Sequence, residues 1–353
     1  DGATTKGGKT KGGDDDDDDE KKTDEEDEEF VNEQGLVSKL IHLIRNKKST
    51  DIHYKTLHLA RKAFGKGGEK RLLYTFPPLV YNCLRLVQQT HIRVTSEDDE
   101  DNDYDEVTVK PKKMFQFVHQ ICTAFGQHNP ETGVRLWLQG ALGADKCGFS
   151  DICYEFLSQS FLCFEEHVSD SMEQYEAIRC ITASLQQVTS LDEENFDTLR
   201  SKCVSHSNRL LKKPCAAQCF ILCSNLYIST SYKDGRVSCK CLVKACKRAS
   251  QMMEGVDMIS IFIQVLNKYI YLILNKCSDF DYEKVTQLIE LIKDKIKEQQ
   301  SSLNINDDDD GNGDNANKLQ EVKQFFRLSC QYINDLKSSN DDEIAQSFAK
   351  IDL

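Results

Sequence analysis

Three cysteines, Cys215, Cys219 and Cys223, recur at four-residue intervals in KKPCAAQCFILCSNLY (residues 212–227), which raises the question of a metal or redox site. On an α-helix, positions i, i+4 and i+8 share one face, but each step climbs about 6 Å along the axis. Because Zn–S bonds are about 2.3 Å long, one zinc ion cannot bind both Cys215 and Cys223. The spacing favours small apolar side chains packed against a neighbouring helix.

Other short motifs offer no better chemistry. The stretch CKCLVKAC (239–246) lacks the paired C-x2-C knuckles of zinc sites, and FGKGGEK (64–70) lacks both the G-x4-G-K-[ST] pattern and a preceding strand. No H-E-x-x-H or G-x-S-x-G motif occurs. The fifteen cysteines are scattered and odd in number, as in a protein that keeps its thiols reduced. We therefore predict a protein that is not an enzyme and has no catalytic residue, cofactor or metal; a cysteine-metal enzyme is a minor alternative.

The net charge of −13 over 353 residues is concentrated in acidic tracts at 14–29, 97–106 and 307–315. Without them the chain is net positive, which suits acidic peptides or anionic lipid headgroups; no aromatic-interleaved basic motif indicates nucleic acid. Acidic runs repel one another and bury no apolar surface. We predict an acidic disordered segment or insert at 1–29, then a domain at 30–353 with acidic loops near 95–108 and 303–316.

From residue 30 onward, apolar residues recur at three- and four-residue spacings, which predicts helices rather than strands. The longest apolar run, YIYLIL at 269–274, is far shorter than the roughly 18 residues of a membrane span, so none is predicted. Helices are predicted at 31–46, 51–64, 78–92, 111–126, 131–142, 150–167, 171–188, 193–212, 214–229, 236–254, 257–275, 280–299, 317–336 and 342–350. So many consecutive helices favour an all-α, HEAT-like α-solenoid of antiparallel pairs, with a right-handed superhelix, over a compact bundle.

Several long stretches resemble, in order, the C-terminal half of the vacuolar protein sorting-associated protein 35 family, the large scaffold subunits of retromer. They include ARKAFGKGGEKRLLYTFPPLVYNCLRL (60–86), RLWLQGALGADKCGF (135–149), YEFLSQSFLCFEEHVSDS (154–171), LRSKCVSHSNRLLKKP (199–214) and IFIQVLNKYIYL (261–272). The resemblance covers about residues 36–336. The acidic tracts are not part of the family pattern.

The resemblance implies a scaffold without chemistry of its own, cytoplasmic and peripheral on endosomal membranes, with indirect membrane contact. It implies binding of the small metallophosphoesterase-like retromer subunit, whose metal pocket this half covers. It also implies homodimerisation and recruitment of the WASH complex through acidic peptides. The family motif for the arrestin-like subunit, Pro-Arg-Leu-Tyr-Leu, belongs to the N-terminal half and is absent here, so that partner is expected only through the missing half.

In a solenoid, alternate helices line the inner surface, where partners dock. With 193–212 and 236–254 as outer helices, 214–229 and 257–275 are inner ones. Aromatic groups beside polar ones suit an interface, which predicts the small-subunit contacts Leu222, Asn225, Leu226, Tyr227, Asn267 and Tyr271. Leu222, Leu226 and Tyr271 are equally well explained as ordinary core residues. The family usually has histidine at the position of Asn225; asparagine keeps the hydrogen bonding but lacks the titratable group of a histidine that would face the metal pocket.

The turn HVSDS (167–171) predicts a helix N-cap at Ser169 or Asp170, and the resemblance makes the same turn a recruitment site for the actin-regulating partner. A different class of function, another peptide-binding solenoid adaptor or carrier, predicts a repeated ladder of Asn and Trp residues. The chain has one tryptophan, Trp137, and no such ladder.

Overall fold

A computed structural model describes residues 15–95, 105–228, 231–253, 255–277, 282–305 and 312–353, without the side chains of 15–26, 303–305 and 312–314. These residues form fourteen α-helices and no strand, which confirms the all-α prediction. The helices are α1 Asp15–Leu43, α2 Thr50–Phe64, α3 Glu69–Thr95, α4 Pro111–Gly126, α5 Pro130–Lys146, α6 Ser150–His167, α7 Ser171–Gln187, α8 Glu193–Arg209, α9 Lys213–Asn225, α10 Gly235–Ala249, α11 Val256–Leu274, α12 Tyr282–Ile305, α13 Asn312–Lys337 and α14 Asp342–Ala349.

Helix α3 is longer than its predicted range of 78–92, because it begins at Glu69 and continues through Pro77 and Pro78. The predicted start of this helix at residue 78 is therefore wrong. A proline inside a helix removes one backbone N–H donor. The helix continues here because Phe76 and Leu79 beside the prolines are almost fully buried, and that burial offsets the lost hydrogen bonds.

The acidic tracts lie at the edges of the described residues. Helix α1 begins at Asp15, so residues 15–29 are helical where a disordered segment was predicted. Negative charge is favourable in the first turn of a helix, and the Glu and Lys residues that follow are good helix formers. Residues 1–14, 96–104 and 306–311 lie outside the described part of the chain. Helices α12 and α13 extend into the predicted acidic loop near 303–316 from both sides.

Short polar residues set the helix starts. The side chains of Ser49, Asn129, Asp192, Asp234 and Asp341 each accept a hydrogen bond from a backbone N–H in the first turn of the following helix. Such caps satisfy N–H groups that have no partner inside the helix. Pro111, Pro130 and Pro214 occupy first-turn positions, on or next to the predicted helix starts at 111, 131 and 214.

The chain divides into two compact units, residues 1–128 with α1–α4 and residues 129–353 with α5–α14. In the first unit α3 packs against α1, α2 and α4. In the second unit each helix packs against its neighbour in sequence, as in an α-solenoid. The helices α5, α7, α9, α11 and α13 also contact one another in succession and form a row, here called the odd row. Helices α9 and α11 therefore share one layer, as expected.

Helix α11 is the centre of the core in the second unit. Ile259, Phe262, Leu266 and Ile270 are at most 2% exposed and pack in a cluster with side chains of α9, α10, α12, α13 and α14. Among the described helices, α11 alone is long and apolar enough to cross a membrane, but 61% of that window is buried inside the protein. Its apolar character is accounted for by this packing, in which each buried Ile, Leu or Phe contributes about 1.5–3 kcal/mol.

The pairing of α5 and α6 depends on one glycine. A Cβ atom at Gly140 would lie 2.2 Å from Cδ1 of Phe156, closer than any real contact. Phe156 in turn packs edge-on against Trp137, with ring centroids 5.3 Å apart. Trp137 is 2% exposed, so the chain's one tryptophan belongs to the core rather than to a peptide-binding ladder.

Candidate partner-binding surface

Four of the six predicted small-subunit contacts reach the surface of the odd row. Leu222 and Asn225 on α9 are half-buried, as is Asn267 on α11, and Tyr271 on α11 is 40% exposed. Each pair lies three or four residues apart, so its members share one face of their helix. Helices α9 and α11 are neighbours in the row, and the accessible parts of these four side chains are here called the α9–α11 surface.

The other two predicted contacts are buried. Leu226 is 0% exposed and Tyr227 is 5% exposed, so in this structure neither presents a surface to a partner. For Leu226 the core interpretation that competed with the interface holds. Both residues follow the last turn of α9, where the backbone turns back toward Asp234, whose N–H donates to the Tyr227 carbonyl over 2.8 Å. This turn directs both side chains into the protein.

Tyr227 is held by a buried cation. The Arg200 guanidinium on α8 lies 4.3 Å from the centroid of the Tyr227 ring and 5.6 Å from that of Phe196, and it also pairs with Asp197. Its Nη1 donates to the Tyr232 carbonyl over 2.7 Å. Burial raises the pKa of Tyr227. A desolvated cation over an aromatic ring is worth about 2 kcal/mol. These contacts of Arg200 fix the turn that follows α9, next to Asn225 of the α9–α11 surface.

The exposed aromatic of the surface also has a cation over it. The Lys268 ammonium lies 4.4 Å from the centroid of the Tyr271 ring, one helical turn away on α11. Burial lowers the pKa of Lys268, whose side chain is partly covered. The contact holds the Tyr271 ring in place while leaving much of it accessible. An immobilised aromatic loses little entropy on binding, which suits an interface anchor.

The three cysteines of α9 pack behind this surface. Cys215 is 8% exposed, Cys219 is 1% exposed and Cys223 is 0% exposed, in agreement with the predicted packing role. Burial raises the pKa of all three thiols, that of Cys223 to about 11. The Cys223 sulfur lies 3.5 Å from the Ser207 hydroxyl. Within the described residues, no group of three or more His, Cys, Asp or Glu side chains is arranged to hold a metal ion.

The predicted recruitment turn is a helix cap. The Asp170 carboxylate accepts hydrogen bonds from the N–H groups of Met172, over 2.7 Å, and Glu173, over 3.0 Å. Asp170 is therefore the N-cap of α7, and the exposed Ser169 precedes it. These N–H donors lower the pKa of Asp170, with a smaller contribution from Lys212.

A groove of about 750 Å³ lies in the same unit as this turn. Its lining includes Lys212, Lys213 and Lys318. The positive charge of Lys212 contributes to the lowered pKa of Asp170. Leu211 and Met253 also line the groove and are 82% and 92% exposed. One carboxylate, that of Asp257, also lines the groove. The three lysines leave the groove net positive beside apolar surface, a combination that fits an acidic peptide bearing apolar side chains.

Beside the turn, the structure also brings together two residues that sequence reasoning did not pair. His206 Nε2 lies 2.8 Å from Glu165 Oε1, and the His206 ring packs on Phe161 and Phe164. Burial lowers the pKa of His206, although Glu165 opposes that shift. The pair lines a pocket of about 310 Å³ that includes Val168. No local spacing could have revealed this pair, because 41 residues separate its members.

The model of the vacuolar protein sorting-associated protein 35 family matches residues 13–295 of this chain. Vacuolar protein sorting-associated protein 35A of Arabidopsis thaliana is 34% identical over 279 residues, 76% of this chain and 35% of the relative. The 35B protein of the same plant is 33% identical over 320 residues, 88% of this chain and 38% of the relative. Vacuolar protein sorting-associated protein 35 of Schizosaccharomyces pombe is 26% identical over 270 residues, 74% of this chain and 31% of the relative.

The chain spans about a third of the length of the curated relatives that it matches. The match runs through both compact units and includes the helices of the α9–α11 surface. With a family model that covers most of the sequence and relatives that agree with it, this chain belongs to the vacuolar protein sorting-associated protein 35 family.

Proposed function

We propose that this chain is a non-enzymatic scaffold segment of retromer that holds the small metallophosphoesterase-like subunit on its α9–α11 surface. Family membership supports the role in protein sorting. The observation that supports this assignment is that α9 and α11 pack side by side with four of the predicted contacts partly exposed to solvent. Leu222, Asn225 and Asn267 are half-buried, and Tyr271 is exposed. Leu226 and Tyr227 support this surface from behind.

The cellular setting follows from the same proposal. The chain would lie in the cytoplasm, peripheral on endosomal membranes, and support coat assembly during retrograde and recycling transport of transmembrane cargo. Residues 30–353 would act as the C-terminal α-solenoid of a longer scaffold, and the arrestin-like subunit would bind outside this chain.

We propose that acidic peptides of the WASH complex bind in the basic groove near the α6–α7 turn. Lys212 links the groove to the turn because it contributes to lowering the pKa of Asp170. We propose that Ser169 and Asp170 act by fixing the start of α7, rather than by contacting an acidic peptide directly, since Asp170 is itself negative. The three lysines of the groove would supply the attraction.

The small-subunit proposal is tested by a binding assay with the purified subunit. A double variant, Asn267→Asp with Tyr271→Asp, should weaken binding by about tenfold or more, because both changes place unpaired charge in the interface. The matched control is Val243→Asp on α10, a side chain that is 46% exposed and lies off the odd row. Circular dichroism should show unchanged helicity for both. Undiminished binding by the folded double variant would remove the α9–α11 surface from the proposal.

A further inference from the structure

The first compact unit contains a further pocket, so far unassigned, that is strongly basic. It has a volume of about 390 Å³, within the usual range of about 300–1,000 Å³ for small-molecule sites. Among the residues that the structure describes, its lining contains no acidic side chain and consists of Arg45, Asn46, Lys47, His53, Arg85, Gln89, Ile92 and Arg93. Four permanently cationic side chains therefore converge on one concave site.

The loop that forms one wall of this pocket, residues 44–49 between α1 and α2, is held in place by side chains of α3. Asn82 donates to the carbonyl oxygens of Ile41 and Ile44 over 2.8 and 3.0 Å. Arg93 donates to the Lys47 carbonyl over 2.6 Å. The loop therefore has a fixed conformation, and the cations that it carries are positioned before any ligand arrives.

Hydrogen bonds within the loop complete this arrangement. The Asn46 side chain accepts from the N–H groups of Lys48 and Ser49, over 3.0 and 2.8 Å. Beneath the loop, His53 Nε2 lies 3.1 Å from Asn82 Oδ1, and Arg85 Nη2 donates to the same oxygen over 2.9 Å. The buried amide of Asn82 thus joins both helices to the loop.

The positive charges in this pocket repel one another. Burial and the nearby Arg45 both lower the pKa of Arg85, and Arg85 and Arg45 both contribute to a lowered pKa of His53, after burial. The described carboxylate of α2, Asp51, is occupied elsewhere, since it accepts from the N–H groups of Thr108 and Val109 over 3.2 and 3.0 Å. A multiply charged anion would relieve this repulsion.

We propose that this pocket binds a compact polyphosphorylated anion, such as the headgroup of a phosphoinositide or a soluble inositol phosphate. Arg45 and Lys47 would contact phosphate groups at the exposed rim, and Arg85 would contact them at the inner wall. Arginine suits this task because its planar guanidinium donates two parallel hydrogen bonds to one phosphate. The volume of the pocket also suits a compact anion better than an extended peptide.

The proposal is tested by calorimetric titration of the whole chain with inositol trisphosphate and with inorganic phosphate. Arg45→Ala with Lys47→Ala should weaken trisphosphate binding by about tenfold or more, because each lost charge-assisted hydrogen bond is strong. The control, Lys39→Ala with Lys66→Ala, removes the same charge from exposed positions outside the pocket lining in the same unit and should bind nearly as tightly as the wild type. Inorganic phosphate should bind more weakly than the trisphosphate.

Vesicle flotation distinguishes the two sources of the anion. Binding to vesicles with phosphatidylinositol bisphosphate, but not to phosphatidylserine vesicles of equal charge, would identify a lipid headgroup. Trisphosphate binding without vesicle binding would identify a soluble ligand; both outcomes support the site. Equal effects of the pocket and control variants, equal binding to both vesicle types, or no trisphosphate binding at low salt would overturn it.

Discussion

The guanidinium of Arg200 lies 4.3 Å from the centroid of the Tyr227 ring, and together these two residues seal the turn after α9. Tyr227 therefore acts in the fold and not at the proposed interface. A residue chosen from the sequence as a partner contact is, in the structure, the aromatic half of a buried cation–π pair. This distinction changes what its substitution should do.

Tyr227→Ala should lower the free energy of unfolding by about 3–5 kcal/mol, because it empties a buried site and leaves Arg200 with only the more distant Phe196 ring. Tyr227→Asp should cost at least as much, since it buries an additional charge. Tyr227→Phe keeps the ring and should cost far less. Urea denaturation followed by circular dichroism measures all three. The interpretation is wrong if Tyr227→Asp unfolds at the wild-type urea concentration.

The prediction from sequence succeeded where information is local. Periodicity located α11, and the predicted starts of α4 and α5, at 111 and 131, lie on or next to the first-turn prolines Pro111 and Pro130. The prediction from sequence failed where a residue's role depends on a contact with a residue far away in the chain. Arg200 precedes Tyr227 by a whole helix, and the basic pocket joins Arg45 to residues of α3 about 40 positions later. Neither arrangement has a spacing that a one-dimensional pattern can reveal.

The cap of α7 should be sensitive to the oxygen of Asp170. Asp170→Ala removes the acceptor for two N–H groups and should lower the melting temperature. Asp170→Asn keeps an amide oxygen at the same position and should lower it less. Thermal unfolding monitored by circular dichroism compares the two variants, and equal losses would show that the cap oxygen is not what matters.

The same aspartate predicts a pH dependence. Because its N–H donors hold the pKa of Asp170 below the ordinary value of 3.8, the folded state binds this proton less readily than the unfolded state. Its contribution is therefore present above about pH 4 and is lost as the pH falls through the lowered pKa. The difference in melting temperature between wild type and Asp170→Asn should shrink over that acidic range. A difference that stays constant down to the acid transition would contradict this account.

The buried thiols of α9 should react with an alkylating reagent only when the protein unfolds. Burial raises the pKa of Cys223 to about 11, so almost no thiolate is present at neutral pH, and its side chain is 0% exposed. Alkylation of Cys223, read by mass spectrometry across a urea series, should follow global unfolding. Cys180 on α7 is half-buried and serves as the internal control, which should be labelled earlier. Rapid labelling of Cys223 in the folded protein would contradict the packing role.

The final prediction concerns an apolar stripe on α13, where Phe325, Leu328 and Tyr332 are 43%, 54% and 48% exposed. Their i, i+3 and i+7 spacing places them on one face of the helix. Homodimerisation, which the family resemblance implies, would cover such a stripe. Leu328→Glu should then raise the dimer dissociation constant about tenfold or more in sedimentation experiments, because it introduces a charge at the centre of the contact. Val243→Glu on α10, with similar exposure, should leave self-association unchanged. If Leu328→Glu has no effect on a dimer that forms in solution, the contact between copies lies on another face.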